Sequence, residues 1–192
     1  MALIKSIGGN EICDQTCRNN VSNMNIGATN LLVGTASGSG WGYSTFDKST
    51  RTFTRSTTST SECFINRDNV KLEPNKTYTL SADVWSNGKV SSCDFFFYDA
   101  NIKSPRNINF IPSTTAQRKS WTFTVPNTSD NWSNATIRFD NNGSTTSGTA
   151  AILYIRDVKL EKGNKPTDWS PSPYDTFTMH DDGAGNITMS II

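Results

Sequence analysis

KTYTLSADVW, residues 76–85, decides the fold class because it is the clearest strand signal in this chain. Apolar and polar side chains alternate along it, and a period of two is that of a β-strand. Such a strand turns one face to a core and the other face outward. The core face carries Tyr78, Leu80, Ala82 and Val84, and the outer face carries Thr79, Ser81, Asp83 and Trp85.

Shorter strand signals recur on both sides of this stretch, with turn residues between them. They lie at residues 30–34, 51–55, 62–67, 92–98, 120–125, 135–140 and 150–161. Ser, Thr and Asn make up 68 of the 192 residues, a composition that favours strands and turns over helices. No helical spacing of apolar residues lasts longer than two turns. The pattern predicts an all-β protein with about eight strands in two packed antiparallel sheets.

The longest signal, AAILYIRDVKLE at residues 150–161, contains an irregularity. Leu153 and Ile155 can share a face with Val158 and Leu160 only if one extra residue lies between the two pairs. The sequence therefore predicts a β-bulge near Asp157.

The chain divides into three parts. Residues 1–28 are polar and carry no clear period, so we interpret them as an N-terminal linker or attachment segment. Residues 29–175 contain the strand signals and form the predicted sandwich domain. Residues 176–192 follow a Pro-rich exit, and their DDGAGN centre predicts a C-terminal hairpin or tail.

Charge and hydropathy argue against two classes of partner. Lys and Arg number 18 against 17 Asp and Glu, so no basic footprint for nucleic acid or an anionic membrane is expected. No apolar run approaches the roughly 20 residues that a membrane span needs. The N-terminal residues lack the apolar centre of a secretory signal. We expect a protein that leaves its cell by another route, such as lysis, or an excised fragment.

The cysteines do not form a metal-binding pattern. Cys13 and Cys17 make one close pair, and the single histidine, His180, is far away, whereas a structural zinc site needs four ligands. A disulfide between Cys63 and Cys93 is conceivable. Free, half-buried thiols are favoured for a protein assembled in a reducing cytoplasm.

The sequence contains no catalytic signature. Glycan hydrolysis needs two carboxylates across a cleft, one of them in an apolar pocket, but the acidic residues here lie mostly in turns and polar linkers. The motifs G-x-S-x-G and H-E-x-x-H and the P-loop are missing from the sequence. We predict a protein that is not an enzyme.

Aromatic and polar residues on predicted outer faces favour sugar binding instead. Sugars present apolar C–H faces and rings of hydroxyls, which flat aromatic rings and Asp, Asn or Arg side chains contact. Trp85 and Asp83 lie on the outer face of one strand, and Arg138 and Asp140 on that of another. If both strands belong to one sheet, the four side chains form one patch. Packing of Trp85 under a neighbouring loop is the alternative.

Trp41 and Tyr43 form a second candidate for sugar binding. Gly40 and Gly42 beside them predict an exposed loop. The alternative is that this loop folds back on the edge of the sandwich.

Three short motifs carry a resemblance to a known family. N-L-L at residues 30–32, S-A-D-V at 81–84 and I-R-D-V-K-L-E at 155–161 resemble segments of galactose-binding-like jelly rolls. These include carbohydrate-binding modules of the family 4, 9 and 22 type. The stretch K-L-E-K-G-N-K-P-T-D-W-S-P-S-P at 159–173 is similar to the closing segment of tail and baseplate proteins of phages that infect Gram-positive bacteria.

The resemblance implies a jelly-roll fold and a structural calcium ion, with Asp157 in the position of a usual ligand. The opening residues 32–35 carry no carboxylate, so backbone carbonyls would have to replace the second expected ligand.

It also implies a virion module that binds host cell-wall or cell-surface polysaccharide and has other tail or baseplate proteins as partners. The alternatives are a structural decoration domain and the binding module of a larger glycan hydrolase.

Overall fold

The computed structural model describes residues 29–101 and 105–175 with their side chains, and the backbone of four short terminal strands. These are β1 (Ser6–Ile7), β2 (Asn10–Glu11), β13 (Phe177–Asp181) and β14 (Ile187–Ile191). Between them come β3 (Trp41–Gly42), β4 (Thr45–Asp47), β5 (Thr52–Thr57), β6 (Cys63–Val70), β7 (Thr77–Ser86), β8 (Cys93–Tyr98), β9 (Arg106–Phe110), β10 (Gln117–Thr124), β11 (Ala135–Asn141) and β12 (Ala151–Lys162).

Ten of these strands form two five-stranded antiparallel sheets that pack face to face. The first sheet has the order β10-β7-β12-β5-β4, and the second has the order β3-β6-β11-β8-β9. The all-β, two-sheet jelly-roll prediction is confirmed. Among the described residues one short 3-10 helix occurs, Trp132–Asn134, and none is long and apolar enough to cross a membrane.

The core lies between the sheets and follows the predicted alternation. On β7 the four apolar side chains predicted to face inward are almost fully buried. On β11, Ile137 and Phe139 are also fully buried, while Arg138 between them lies on the outer surface. Phe95 and Phe97 of β8 fill the space opposite. A period of two therefore separates core from surface in both sheets.

The predicted bulge in β12 is confirmed. Pairing with β7 shifts between Arg156 and Lys159, and Asp157 adopts a positive φ of 52°. The shift leaves Leu153, Ile155, Val158 and Leu160 all fully buried on one face.

Several expectations about the strands were wrong. Residues 30–34 form an irregular segment and a turn, not a strand. The segment 92–98 forms β8, an internal strand between β11 and the edge strand β9. The edge strands β3, β4 and β9 were not predicted, because they are short or mostly exposed and carry no apolar period.

The termini and cysteines complete the fold. β1 pairs with β2, and β13 pairs with β14, each antiparallel. Cys63 and Cys93 are buried free thiols on either side of Asn141, so the conceivable disulfide between them is not formed. The division into linker, domain and tail stays a prediction.

Candidate functional site

The predicted site residues lie on opposite sides of the sandwich. Trp85 and Asp83 belong to β7 in the first sheet, whereas Arg138 and Asp140 belong to β11 in the second. The expectation of one shared patch is wrong, because strand pairing brings β7 beside β10 and β12 and never beside β11.

The outer face of the first sheet is built around an aromatic pair. The Trp85 indole stacks on Tyr154 of β12, with ring centroids 5.1 Å apart and planes 11° from parallel. The Arg156 guanidinium lies 5.5 Å from the Trp85 ring and donates a 2.8 Å hydrogen bond to Asp83. Trp85 is therefore partly buried against its own neighbours on the sheet surface.

Residues 163–175, the closing segment that follows β12, cover another part of this face. Lys159 and Glu161 point outward after the bulge, yet both are fully buried. Lys159 Nζ donates to Thr167 Oγ1 at 2.7 Å and to the Asp168 carbonyl at 2.8 Å. Glu161 accepts hydrogen bonds from the backbone N–H and the hydroxyl of Thr167, both at 2.7 Å. Burial lowers the pKa of Lys159, and the charge of Glu161 opposes that change.

The outer face of the second sheet carries a line of half-exposed rings across the strands. We call these four rings and the guanidinium between them the aromatic strip: Tyr43, Phe64, Arg138, Phe96 and Tyr98. The Arg138 guanidinium lies 4.3 Å from the Phe64 ring centre and 5.1 Å from that of Phe96. Tyr43 packs edge-on against Phe64, and Tyr98 packs edge-on against Phe96. The strip crosses three neighbouring strands, β6, β11 and β8.

Two carboxylates hold Arg138 in place. Its Nε and Nη2 donate to Asp140 at 2.6 and 2.8 Å, and Nη2 also donates to Glu62. Burial raises the pKa of Asp140 to about 6, although the hydrogen bonds and charge of Arg138 act to lower it. Burial alone would lower the pKa of Arg138, but the hydrogen bonds and charge of Asp140 raise it overall. The guanidinium is thus a fixed, permanently charged spacer between two rings.

Polar side chains flank the strip on both sides. On the β8 side, Asp94 accepts hydrogen bonds from Asn109 at 2.6 Å and from Asn142 at 3.1 Å. On the β6 side, Asp68 accepts from Thr136 at 2.7 Å and from Asn66 at 2.8 Å. This face combines rings with planar polar groups, which is the chemistry that sugar rings require.

Phe64, Phe96, Tyr98, Asp94 and Asp68 were not among the predicted site residues. Phe96 lies inside the run FFF, which looks like uniform core. A signal was nevertheless present, because Asp94 fixes the phase of this strand. Every second residue after it, Phe96 and then Tyr98, lies on the same outer face.

The two loop candidates have different positions. Trp41 is not in an exposed loop: it lies on β3 and packs on the core, 4.7 Å from Phe53. Its indole N–H donates to the Val33 carbonyl at 3.3 Å. Tyr43 is 61% exposed and adopts a φ of 58° in the turn between β3 and β4. Of the pair, Tyr43 alone joins the aromatic strip.

The surroundings of Asp157 do not fit a calcium ion. One carboxylate oxygen accepts a 2.7 Å hydrogen bond from Arg51 Nε, and the other lies 3.7 Å from Arg156 Nε. Two guanidinium groups therefore occupy the positions where a cation would need space. In residues 29–101 and 105–175, no group of three or more His, Cys, Asp or Glu side chains could hold a metal.

Solved structures with the fold of this chain include carbohydrate-binding modules. Neither the protein-family models nor the curated proteins contain a match to this sequence. A family 4 carbohydrate-binding module matches with a TM-score of 0.52 and 19% identity, over 65% of this chain and 95% of that module. A family 16 carbohydrate-binding module matches with a TM-score of 0.50 and 21% identity, over 68% and 97% of the two chains. This chain has the jelly-roll fold of carbohydrate-binding modules.

A phage protein shares the same fold. The tripod from the baseplate of bacteriophage Tuc2009 matches with a TM-score of 0.50 and 17% identity. The match covers 77% of this chain and 59% of the baseplate chain. The expected resemblance to binding modules and phage tail proteins is confirmed at the level of the fold.

Proposed function

We propose that this chain binds a host cell-surface polysaccharide on the outer face of its second sheet, as a non-catalytic module of a phage tail or baseplate. Other tail or baseplate proteins would be its partners in the virion. Tail assemblies carry repeated copies of their modules, so weak individual sites would gain strength from linkage.

The aromatic strip carries this proposal. Strands in a sheet lie about 4.8 Å apart, so a strip that crosses β6, β11 and β8 has room for two or three hexose units. The rings supply surfaces for sugar C–H groups, and Asp94 and Asp68 supply acceptors for hydroxyls. A solvated sheet face needs none of these rings for folding.

The outer face of the first sheet is the competing location. It carries Trp85, Tyr154 and Arg156, but the rings stack on each other, and the closing segment covers Lys159 and Glu161 beside them. A structural decoration domain that packs this aromatic pair against another tail protein is the second candidate function.

Alanine variants of one ring from each face distinguish these possibilities. Phe96→Ala is expected to weaken binding about tenfold, since an aromatic contact in recognition contributes about 1–3 kcal/mol. Trp85→Ala tests the competing face. Tyr174→Ala, which removes an exposed ring from the segment after β12, is the matched control.

The measurement is binding of the purified chain to intact Gram-positive cells, with polysaccharide extracted from the same cells as competitor. Melting temperatures verify that each variant is folded. If Trp85→Ala loses binding and Phe96→Ala keeps it, the binding site lies on the first sheet. Cell binding that the extracted polysaccharide does not reduce would contradict a polysaccharide ligand, and no cell binding by the folded wild type would favour the decoration domain.

A further inference from the structure

The polar groups around the aromatic strip are mostly acceptors. The outward charged side chains of β6, β11 and β8, together with Glu62 just before β6, comprise one guanidinium and four carboxylates. Arg138 already donates to two of these carboxylates, Asp140 and Glu62. The strip therefore has an excess of negative charge.

The other two carboxylates, Asp94 and Asp68, have only neutral partners among the described residues. Both accept hydrogen bonds from amides or a hydroxyl, and neither forms an ion pair there. They lie on opposite sides of Arg138, on β8 and β6. Their hydrogen bonds fix their orientation but leave their charges uncompensated.

A buried acceptor next to the strip is also without a partner. Asn66 is 93% buried, and its Nδ2 donates to Asp68, while its Oδ1 has no hydrogen-bond donor in the described structure. Asn66 lies directly opposite Arg138 on the outer face. The Oδ1 atom occupies the place that a side chain at Gly42 would fill. Asn66 therefore adds a polar acceptor beside Asp68 and contributes no positive charge to this face.

We infer that the aromatic strip selects glycans that carry protonated amino groups and disfavours polyanionic ones. The inference rests on the proposed function and specifies its substrate class. Aromatic rings and carboxylates together are the groups that recognise an ammonium ion, through cation–π attraction and charge-assisted hydrogen bonds. A chain with a phosphate or carboxylate on each repeat would meet uncompensated charges of its own sign.

Three probes on one backbone test the charge preference. They are an immobilised β-1,4-linked glucosamine hexamer, its N-acetylated form and its N-succinylated form, at a pH at which the free amine is protonated. The expected order of binding is amine, then acetamide, then succinate. Added salt should weaken binding to the amine form, because exposed charges are screened.

Asp94→Asn keeps the size of the side chain and removes its charge. We expect it to lower affinity for the amine probe about fivefold more than it lowers affinity for the N-acetylated probe. Glu73→Gln, which removes an exposed charge paired with Lys162 away from the strip, is the matched control and should change neither.

Binding to intact cells, measured in parallel, separates the two proposals. If cells are bound but the N-acetylated or N-succinylated probe binds as well as the amine, or no probe binds, the charge inference is wrong and the proposed function stands. If cells are not bound either, the proposed function fails and the inference fails with it. Cell binding with the expected order of probes supports both.

Discussion

At the scale of single residues, the most informative group is Asp140, whose carboxylate is almost fully buried beneath Arg138. Burial raises its pKa from 3.8 to about 6. The folded state therefore holds a proton that the unfolded chain releases at lower pH. Between about pH 4 and pH 6, Asp140 should make the fold less stable as the pH rises, and the effect is complete above that window.

Asp140→Asn removes this titration while it keeps the shape of the side chain. The full difference between a pKa of about 6 in the folded state and the ordinary value corresponds to about 3 kcal/mol. The free energy of unfolding of the wild type, relative to the variant, should fall by about 2 kcal/mol between pH 4 and pH 6.5, because the unfolded carboxyl is already about half deprotonated at pH 4. Urea unfolding across this range measures it.

Asp47 supplies a control of opposite sign. Hydrogen bonds from Ser49 and Thr50 lower its pKa, so its stabilising contribution is lost as the pH falls through its folded pKa. Parallel stability curves for the wild type and Asp140→Asn from pH 4 to pH 6.5 would contradict the buried titration of Asp140.

Residue phase was predictable from the sequence, but the partners of each residue were not. Alternation along residues 135–140 was enough to place Arg138 and Asp140 outward. Their separation from Trp85 depends on which strands pair, and those pairs join residues dozens of positions apart. Local patterns hold no information on such pairing. The prediction of which side chains face outward was therefore correct, but the prediction that they share one sheet face was wrong.

At the scale of elements, hydrogen bonds between β12 and the closing segment account for part of the motif at residues 159–173. Its Thr167 bridges the buried Lys159 and Glu161, whose Nζ and Oε2 atoms lie 3.9 Å apart. A buried pair of this kind is tolerated only when hydrogen bonds satisfy both charges. The motif therefore has a structural role that does not depend on any ligand.

Thr167→Val tests that role, because it deletes the hydroxyl while the backbone N–H to Glu161 remains. The loss of hydrogen bonds to two buried charges should lower the free energy of unfolding by about 2–3 kcal/mol. Thr124→Val, at an exposed hydroxyl paired with Thr77, should change it by less than about 0.5 kcal/mol. Equal effects of the two variants in urea unfolding would show that Thr167 does not stabilise the pair.

Elements with a strong local period were predictable, and elements held only by tertiary contacts were not. The strand β7 and the bulge in β12 followed from alternation and its single break. The edge strand β9, RNINF, is mostly exposed on both faces and has no apolar side to reveal it. Pairing with β8 alone makes it a strand.

At the scale of the whole molecule, one side chain joins the beginning of the domain to its end. Asn30 is fully buried and makes five hydrogen bonds. Its amide nitrogen donates to the carbonyls of Val158 and Ser170, both at 3.0 Å. Its oxygen accepts from the backbone N–H of Leu32 at 3.1 Å and of Leu160 at 3.2 Å. The N-L-L motif thus connects the opening segment, β12 and the closing segment.

This connection bears on the calcium ion that the family resemblance implies. A cation between the opening segment and β12 would join them by coordinating oxygen atoms of both, and the Asn30 carboxamide already joins them by hydrogen bonds. Asp157 is meanwhile paired with Arg51. We therefore expect a chelator to leave the melting temperature unchanged, whereas an ion bound only to the folded state would raise it by mass action.

Asn30→Ala should lower stability without any dependence on calcium. The substitution leaves the buried N–H of Leu160 and the carbonyl of Val158 without their partner, and each unsatisfied group costs about 1–3 kcal/mol. Thermal unfolding of the variant and the wild type, each with excess calcium and with chelator, gives four melting temperatures. We expect each protein to melt at the same temperature with calcium and with chelator, and the variant to melt at least about 5 °C below the wild type. For a chain of this size, a change of about 1 kcal/mol shifts the melting temperature by 2–4 °C. A wild type that loses several degrees on chelation would show that a cation, rather than the Asn30 carboxamide, joins the two ends of the domain.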